Sequence, residues 1–361
     1  MKFLEVIGGW VNRYFSNEEA IYLIALIVFA AIILATLGGV LAPVLTGLVL
    51  AFLLQGVVAW MERIRVPRVL AVSVSFLVFV GLILVFFIIA VPLLWRQMQG
   101  LAGLLPTAIT LLQDAVTNLA ARYPEYITQA QISSLLDQGT RELGNISATV
   151  VETAFSQVFS ILGLMLYLVL VPISMFFFLK DKDLLLAWLH SLLPANRPLL
   201  TSVGEEMNEQ LGNYVRGKFI EILIVGAITF ICLTVLGVNY AALLGVLVGL
   251  SVLIPFVGAA LVTLPVFVVA IIQFGWSWDL GMVMIAYGVI QFLDGNVLVP
   301  LLFSEVVDLH PIAIIVAVLA FGGLWGVWGV FFAIPLATLV KAILNAWPRR
   351  DESDGGGLTS E

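Results

Sequence analysis

Asp294 is the residue of this sequence best placed to do chemistry. It sits in Gln291-Phe-Leu-Asp-Gly-Asn296, inside a stretch of 122 residues, Phe219 to Val340, that holds no Lys and no Arg. Five acidic side chains do occur there: Glu221, Asp279, Asp294, Glu305 and Asp308, joined by His310. A carboxylate at membrane depth is costly and usually faces a cavity or a partner. With no base in the same half, these groups are left with protonation, a bound cation, polar neighbours, water or a base from elsewhere in the chain. Gln291 lies about one helical turn before Asp294 on the same face, and Asn296 follows at once. Carboxylate, amides and free backbone groups together could hold a proton, a cation or a small polar solute. The competing reading is an interfacial turn carrying a solvated Asp. For Asp308 and His310 the competing reading is an outer loop before Pro311, and Glu221 reads as an interface residue beside Lys218.

The elements that must position these groups are broken in two places. Ile254-Pro255-Phe-Val-Gly258 combines a residue without a backbone donor and one that permits tight backbone geometry. Asp294-Gly-Asn296 is followed by Pro300. From Leu280 to Leu293 there are only fourteen residues, roughly 21 Å of helix against a bilayer core of about 30 Å. Either the helix stops short at Asp294 or it continues, broken, through it. Broken helices at membrane depth survive beside protein or a water-filled cavity, and they point to transporter binding sites. Pro255 and Gly258 therefore join Asp294, Gln291, Asn296, Asp308 and His310 as candidate substrate- or ion-binding positions.

Composition sets the solvent. Of 361 residues, 62% are hydrophobic and 11% charged, with a mean hydropathy of +1.13. Soluble domains carry about 25% charged residues, so lipid must cover this surface. Charge-free runs of 42, 27 and 57 residues span Ala20–Met61, Val69–Trp95 and Ile222–Trp278. Such runs read as membrane helices, and the alternation of a transmembrane β-barrel is absent. Lys and Arg total 16 and are scattered, which gives no footprint for nucleic acid. The one cysteine, Cys232, allows no internal disulfide and reads as a packing residue.

The expected fold is an all-α polytopic membrane protein of about eight transmembrane helices, with broken or re-entrant helices in the C-terminal half and amphipathic helical loops. Spans 1, 2 and 3 are predicted at 20–37, 41–60 and 69–94, within an N-terminal region of 1–95. Gly38-Gly39 separates the first two, and the first is read as an uncleaved span. An extracytoplasmic amphipathic segment occupies 96–157, where Leu105, Ile109, Leu112, Val116 and Leu119 form one stripe bounded by Pro106 and Pro124. A second stripe is read through Leu136, Leu143, Ile146 and Val150. Residues 158–218 hold span 4 and a cytoplasmic amphipathic helix with Leu199, Val203, Met207, Leu211 and Val215 at spacings of four. A transport core at 219–345 carries spans 5 to 8, the last over 312–340, and 346–361 is a disordered cytoplasmic tail. With both termini in the cytoplasm, 13 of the 16 basic residues fall inside. Gly322, Gly326 and Gly329 read as a small-residue packing face of span 8. No nucleotide loop, metal cluster or nucleophile elbow is present in the sequence, so no enzyme and no cofactor are expected.

Several motifs occur in a fixed order: Asn213-Tyr-Val-Arg-Gly-Lys218, Leu236-Gly-Val-Asn-Tyr-Ala241, Ile254-Pro-Phe-Val-Gly258, Gln291-Phe-Leu-Asp-Gly-Asn296, Leu309-His-Pro311 and Ala333-Ile-Pro-Leu336. In this order they resemble the autoinducer-2 exporter superfamily. The stretch from Asn296 through Phe303-Ser-Glu-Val-Val-Asp-Leu-His-Pro311 to Pro335 is similar to its permease branch. The resemblance implies an eight-span protein of the bacterial inner membrane and a homo-oligomer, with a pentamer among the assemblies. It also implies export of an autoinducer-2-like solute, or sodium/proton exchange. Many members carry Gln-x-x-Glu-Asn where this chain has a shorter acid and an inserted Gly.

The expected function is a secondary transporter in the lipid bilayer that moves a small polar solute or ion, with a proton or sodium as the coupling ion at Asp294. A non-transporting scaffold built on the outer helices and a passive channel are the alternatives.

Overall fold

The computed structural model describes residues 18–122, 161–194, 197–255, 257–303 and 309–346. Among these the chain is helical, without strands. The helices are α1 (Glu18–Arg63), α2 (Arg68–Arg122), α3 (Ile161–Lys180), α4 (Lys182–Ser191), α5 (Pro198–Val235), α6 (Ala241–Ser251), α7 (Val257–Phe274) and α8 (Trp278–Leu293). A five-residue π-helical segment follows (Asp294–Leu298), then α9 (Val299–Phe303), α10 (Pro311–Phe331) and α11 (Ala333–Ala346). Six of the described helical stretches are long and apolar enough to cross a bilayer. The protein is an all-α polytopic membrane protein, as its composition requires. Glu305, Asp308, the second outer stripe (Leu136, Leu143, Ile146 and Val150) and the C-terminal tail lie outside the described residues.

Three predicted boundaries move. The two spans expected at 20–37 and 41–60 are one uninterrupted helix, α1, of 46 residues. Gly38 and Gly39 keep negative φ, and a helix interior tolerates glycine at a cost of about 1 kcal/mol. With apolar sequence on both sides, nothing forces a turn. Helix α2 likewise runs on through Pro106, merging span 3 with the first outer stripe. The amphipathic segment and span 5 are also one helix, α5.

The chain divides into two compact units. One comprises 1–45, 181–215 and 305–361; the other comprises 46–180 and 216–304. In the first, Leu200 and Val203 of α5 pack with Leu23 of α1, and Met207, Leu339 and Ile343 cover them. Of the α5 stripe, Val203 and Val215 are buried and Met207 packs against this cluster.

Span 8 is not a single crossing. The chain bends within α10 at Gly326, whose φ of 58° and ψ of −135° are non-helical. Ala333 of α11 is buried against Ala317 and Val318 of α10. A Cβ on Gly329 would strike the Phe321 carbonyl, and one on Gly322 would meet Val330 at 2.8 Å. The glycines read as a packing face therefore let this segment fold back on itself. Phe321 stacks on Trp325 and Trp328 stacks on Phe332 around the bend. The Tyr214 hydroxyl donates to the Phe331 carbonyl at 2.8 Å and fixes its far side.

The second unit holds the larger core. Leu244 and Val248 of α6, Val266, Val269 and Ala270 of α7, and Val283 and Tyr287 of α8 bury together with Val225 and Leu233 of α5. Cys232 packs against this cluster. Helix α6 has eleven residues, roughly 16 Å, too short to cross a bilayer core of about 30 Å. The chain turns at 252–255 and α6 packs against α7, so the two form a helical hairpin. Close contact holds α6 on α5: a Cβ on Gly249 would lie 2.7 Å from the Ile222 carbonyl, and one on Gly245 would lie 2.9 Å from the Gly226 carbonyl.

Candidate functional site

The two predicted breaks lie at one buried cluster of charge in the second unit. Lys218 and Glu221 occupy neighbouring positions on α5, three residues apart, and are 4% and 1% exposed. Lys218 Nζ lies 2.8 Å from Glu221 Oε2. The same ammonium donates to the Val252 carbonyl at 2.9 Å, in the turn that ends α6. It also sits 5.3 Å from the centre of the Phe303 ring on α9. Phe303 can come this close because Gly217 has no side chain; a Cβ there would meet the ring at 2.6 Å.

Asp294 begins the π segment, partly buried, and its charge interacts with both Lys218 and Glu221. Its Oδ1 is buried without a hydrogen-bond partner. The helix does not stop at Asp294: the Val299 N–H reaches the Asp294 carbonyl across five residues, and helix resumes at once. Of the two alternatives at this break, the continuing broken helix is the one observed. π-Helical segments of this kind occur frequently at functional sites.

Around this cluster the hairpin is held to α8 by polar contacts. The Tyr287 hydroxyl donates to the Ala259 carbonyl at 3.0 Å and lies 3.1 Å from Thr263 Oγ1. Gln291, one turn on, adjoins the same hydroxyl. Gly258 is buried where α7 begins, and a Cβ there would strike the Ser251 carbonyl. Pro255 stands in the turn itself, its carbonyl accepting from Val257 at 2.7 Å.

Asp294, Gln291, Pro255 and Gly258 therefore lie within one unit around one site. Asn296 does not add a ligand to it: its side chain is exposed and donates to the Phe292 carbonyl at 2.9 Å on its own helix. His310 belongs to the other unit and is exposed, where its Nδ1 accepts from Ile312 at 3.3 Å and caps α10. Asp279 is exposed in the first turn of α8, where a carboxylate complements the helix dipole.

One expectation changes: Glu221 is not a solvated interface residue; it is among the most buried side chains described. Of the partners left open for the acidic groups, a base from elsewhere in the chain is the one observed at Glu221: Lys218, one residue before the base-free stretch. Beginning the transport core at 219 separated Lys218 from Glu221, whereas one helix, α5, carries both into the core. The spacing Lys218-x-x-Glu221 was the available signal, since residues three apart share a helix face. Tyr287 and Thr263 also went unrecognised as site residues.

The first unit holds a separate apolar cavity of about 590 Å³, whose lining includes Leu34, Gly38, Met207, Trp325, Trp328 and Phe332. That lining offers little to a polar solute.

The AI-2E family transporter model matches residues 22–349. The chain belongs to the AI-2E transporter family. Its similarity to PerM of Escherichia coli (strain K12), whose name calls it a permease, is 43% identity over 345 residues, covering 96% of this chain and 98% of PerM. YueF of Bacillus subtilis (strain 168), named as a transport protein, is 27% identical over 308 residues, covering 83% of this chain and 82% of YueF. A transport protein of Synechocystis sp., sll0063, is 24% identical over 357 residues, covering 94% and 88%. Membership extends over both units, so the buried cluster and the folded-back C-terminal helices both belong to one AI-2E family transporter.

Proposed function

We propose that this protein is a secondary transporter of the bacterial inner membrane, with both termini cytoplasmic. It moves a small polar solute of the autoinducer-2 type, or exchanges ions, with proton or sodium movement coupled at Asp294. One observation carries this reading: an ion pair, Lys218–Glu221, is buried at the hairpin turn, and a second carboxylate, Asp294, opens the π segment near enough to feel both charges, with its Oδ1 buried and unbonded. Lys218 at 2.8 Å neutralises Glu221, which leaves one negative charge in a largely apolar setting. Uncompensated buried charge is expensive, so a proton or a cation completes the set. Loading and unloading that one charge is the elementary step of ion coupling. The α6–α7 hairpin and the π-interrupted helix are irregular backbone of the kind that lines transport sites.

The test is flux in proteoliposomes under separately imposed proton and sodium gradients, with wild type and Asp294→Asn in parallel. Gradient-driven flux in wild type and its loss in the variant are expected. Equal gradient-driven flux in both proteins would remove Asp294 from the coupling. Absence of flux of protons, sodium and autoinducer-2 from correctly assembled protein would favour a scaffold.

A further inference from the structure

Lys218 touches three separate elements at once. Its Nζ meets Glu221 on its own helix at 2.8 Å, the Val252 carbonyl at the end of α6 at 2.9 Å, and the face of Phe303 on α9 at 5.3 Å. The Val252 contact differs in kind from the others. It is the final carbonyl before the hairpin turn, one of the helix-end carbonyls that lack an intrahelical partner, and a cation there also complements the helix dipole. Val252 is buried, so losing that donor leaves a desolvated carbonyl unless the turn moves or admits water.

The charges that can pull on this ammonium are few. Helices α6, α7 and α9 carry no ionisable side chain. Helix α5 supplies Glu221 and, two residues before Lys218, Arg216, whose guanidinium lies against Gly56 of α1. Helix α8 and the π segment supply Tyr287, Asp294 and, at the opposite end of α8, the exposed Asp279. With Glu221 charged, Lys218 is held between it and the turn. With Glu221 neutral, the ammonium loses the partner that holds it beside the turn, and Asp294 is the carboxylate left to attract it.

We propose that Lys218 is a positioning residue that ties the tip of the α6–α7 hairpin to the carboxylate pair, so that neutralising Glu221 releases the tip. This rests on the transport reading for its purpose: it adds a proton step at Glu221, distinct from ion loading at Asp294, that moves the backbone lining the site. The ammonium itself is not transported and stays tethered to α5.

The tip can be followed without any solute. Cys232 is the single native cysteine, so a Cys232→Ala background with Ile254→Cys places one thiol in the turn. Maleimide labelling rates are measured in proteoliposomes across pH, each divided by the rate of the same protein carrying Lys218→Met. This ratio cancels the titration of the thiol itself. The parent protein is expected to label about tenfold more slowly than the Lys218→Met protein at high pH, the size of one lost hydrogen bond to a charged donor. The gap is expected to close as pH falls. Glu221→Gln is expected to label at the fast rate at every pH, and Lys218→Arg to restore the slow, pH-dependent rate.

Equal rates for parent and Lys218→Met at all pH values would overturn the proposal, as would a gap that ignores pH. Where Lys218→Met fails to assemble, the parent divided by Glu221→Gln gives the same comparison, and a flat ratio of one overturns it. Gradient-driven flux with unchanged labelling would sink the tether alone. A pH-dependent label without flux would leave the tether standing and sink the transport reading.

Discussion

The Tyr287 hydroxyl donates to the Ala259 carbonyl at 3.0 Å, binding α8 to the first turn of α7. The same carbonyl accepts from Thr263 Oγ1 at 2.7 Å. Removing the tyrosine hydroxyl therefore does not orphan the carbonyl, since Thr263 still serves it. Tyr287→Phe is expected to cost about 1 kcal/mol, the net worth of one such bond. A thermal-unfolding series in detergent would show a small drop in midpoint with assembly retained. A loss of more than about 3 kcal/mol would mean that the hydroxyl serves a further buried group.

Lys218 and Glu221 should be strongly non-additive in stability. Lys218→Met alone leaves a buried carboxylate without its cation, a loss of about 3–5 kcal/mol. Adding Glu221→Gln removes that burden, so the double variant is expected to be more stable than the Lys218→Met single variant. Denaturant or thermal midpoints of the parent, both singles and the double would close the cycle. Additive losses would show that the two side chains do not act as a pair.

Glycines in this chain should separate cleanly by surroundings. A Cβ at Gly249 would lie 2.7 Å from backbone on α5, so Gly249→Ala must push α5 and α6 apart and is expected to cost about 1–3 kcal/mol. At Gly38 and Gly39 nothing lies within 4 Å and the backbone is helical. Alanine at either site is expected to be neutral or to stabilise by up to about 1 kcal/mol. Destabilisation at both sites would indicate that α1 turns there after all.

Gly326 has a different constraint. Its φ of 58° with ψ of −135° lies outside the region open to residues with a Cβ. Gly326→Ala is expected to destabilise the C-terminal bend by about 1–3 kcal/mol. Trp325 and Trp328 flank the bend, so tryptophan emission would report its loosening. An unchanged spectrum and midpoint would rule out a requirement for glycine.

Asn296 and His310 should prove dispensable for coupling. Asn296 is spent on the Phe292 carbonyl and His310 on capping α10. Asn296→Ala and His310→Ala are each expected to cost no more than about 1–2 kcal/mol of stability while leaving gradient-driven flux near the parent level. Loss of coupling in Asn296→Ala would return that residue to the site.

Membrane character and both helix breaks were legible because they depend on composition and on local backbone chemistry. Pro255 and Gly258 turn the chain where their covalent structure says they should, and Asp294 marks the second irregularity. What one sequence did not carry was pairing across helices. Lys218 reads as the end of the amphipathic segment until α5 is known to continue through it, and Glu221 then becomes core. Gly245 and Gly249 sit in an apolar run where any packing partner is open, and only the approach of α5 shows why no larger residue fits. Gly38-Gly39 failed in the opposite sense: a pair that permits a turn does not compel one when helix propagates from both sides. Gly322, Gly326 and Gly329 were recognised as close-packing residues; Gly322 and Gly329 do pack closely, but against the same segment doubling back, and Gly326 supplies the bend.

The π segment takes up one residue more than ordinary helix would. The hydrogen bond that closes it joins Val299 to Asp294, five residues apart, where an α-helix closes over four. Each residue of such a wide turn advances by less than the about 100° of an α-helix. Deleting one residue here would let ordinary α-helix close the gap and would leave everything beyond it at nearly the same angle, with Phe303 still over Gly217 and Lys218. The extra residue is thus absorbed locally: it widens the backbone at the carboxylate without moving the aromatic ring that covers the ammonium.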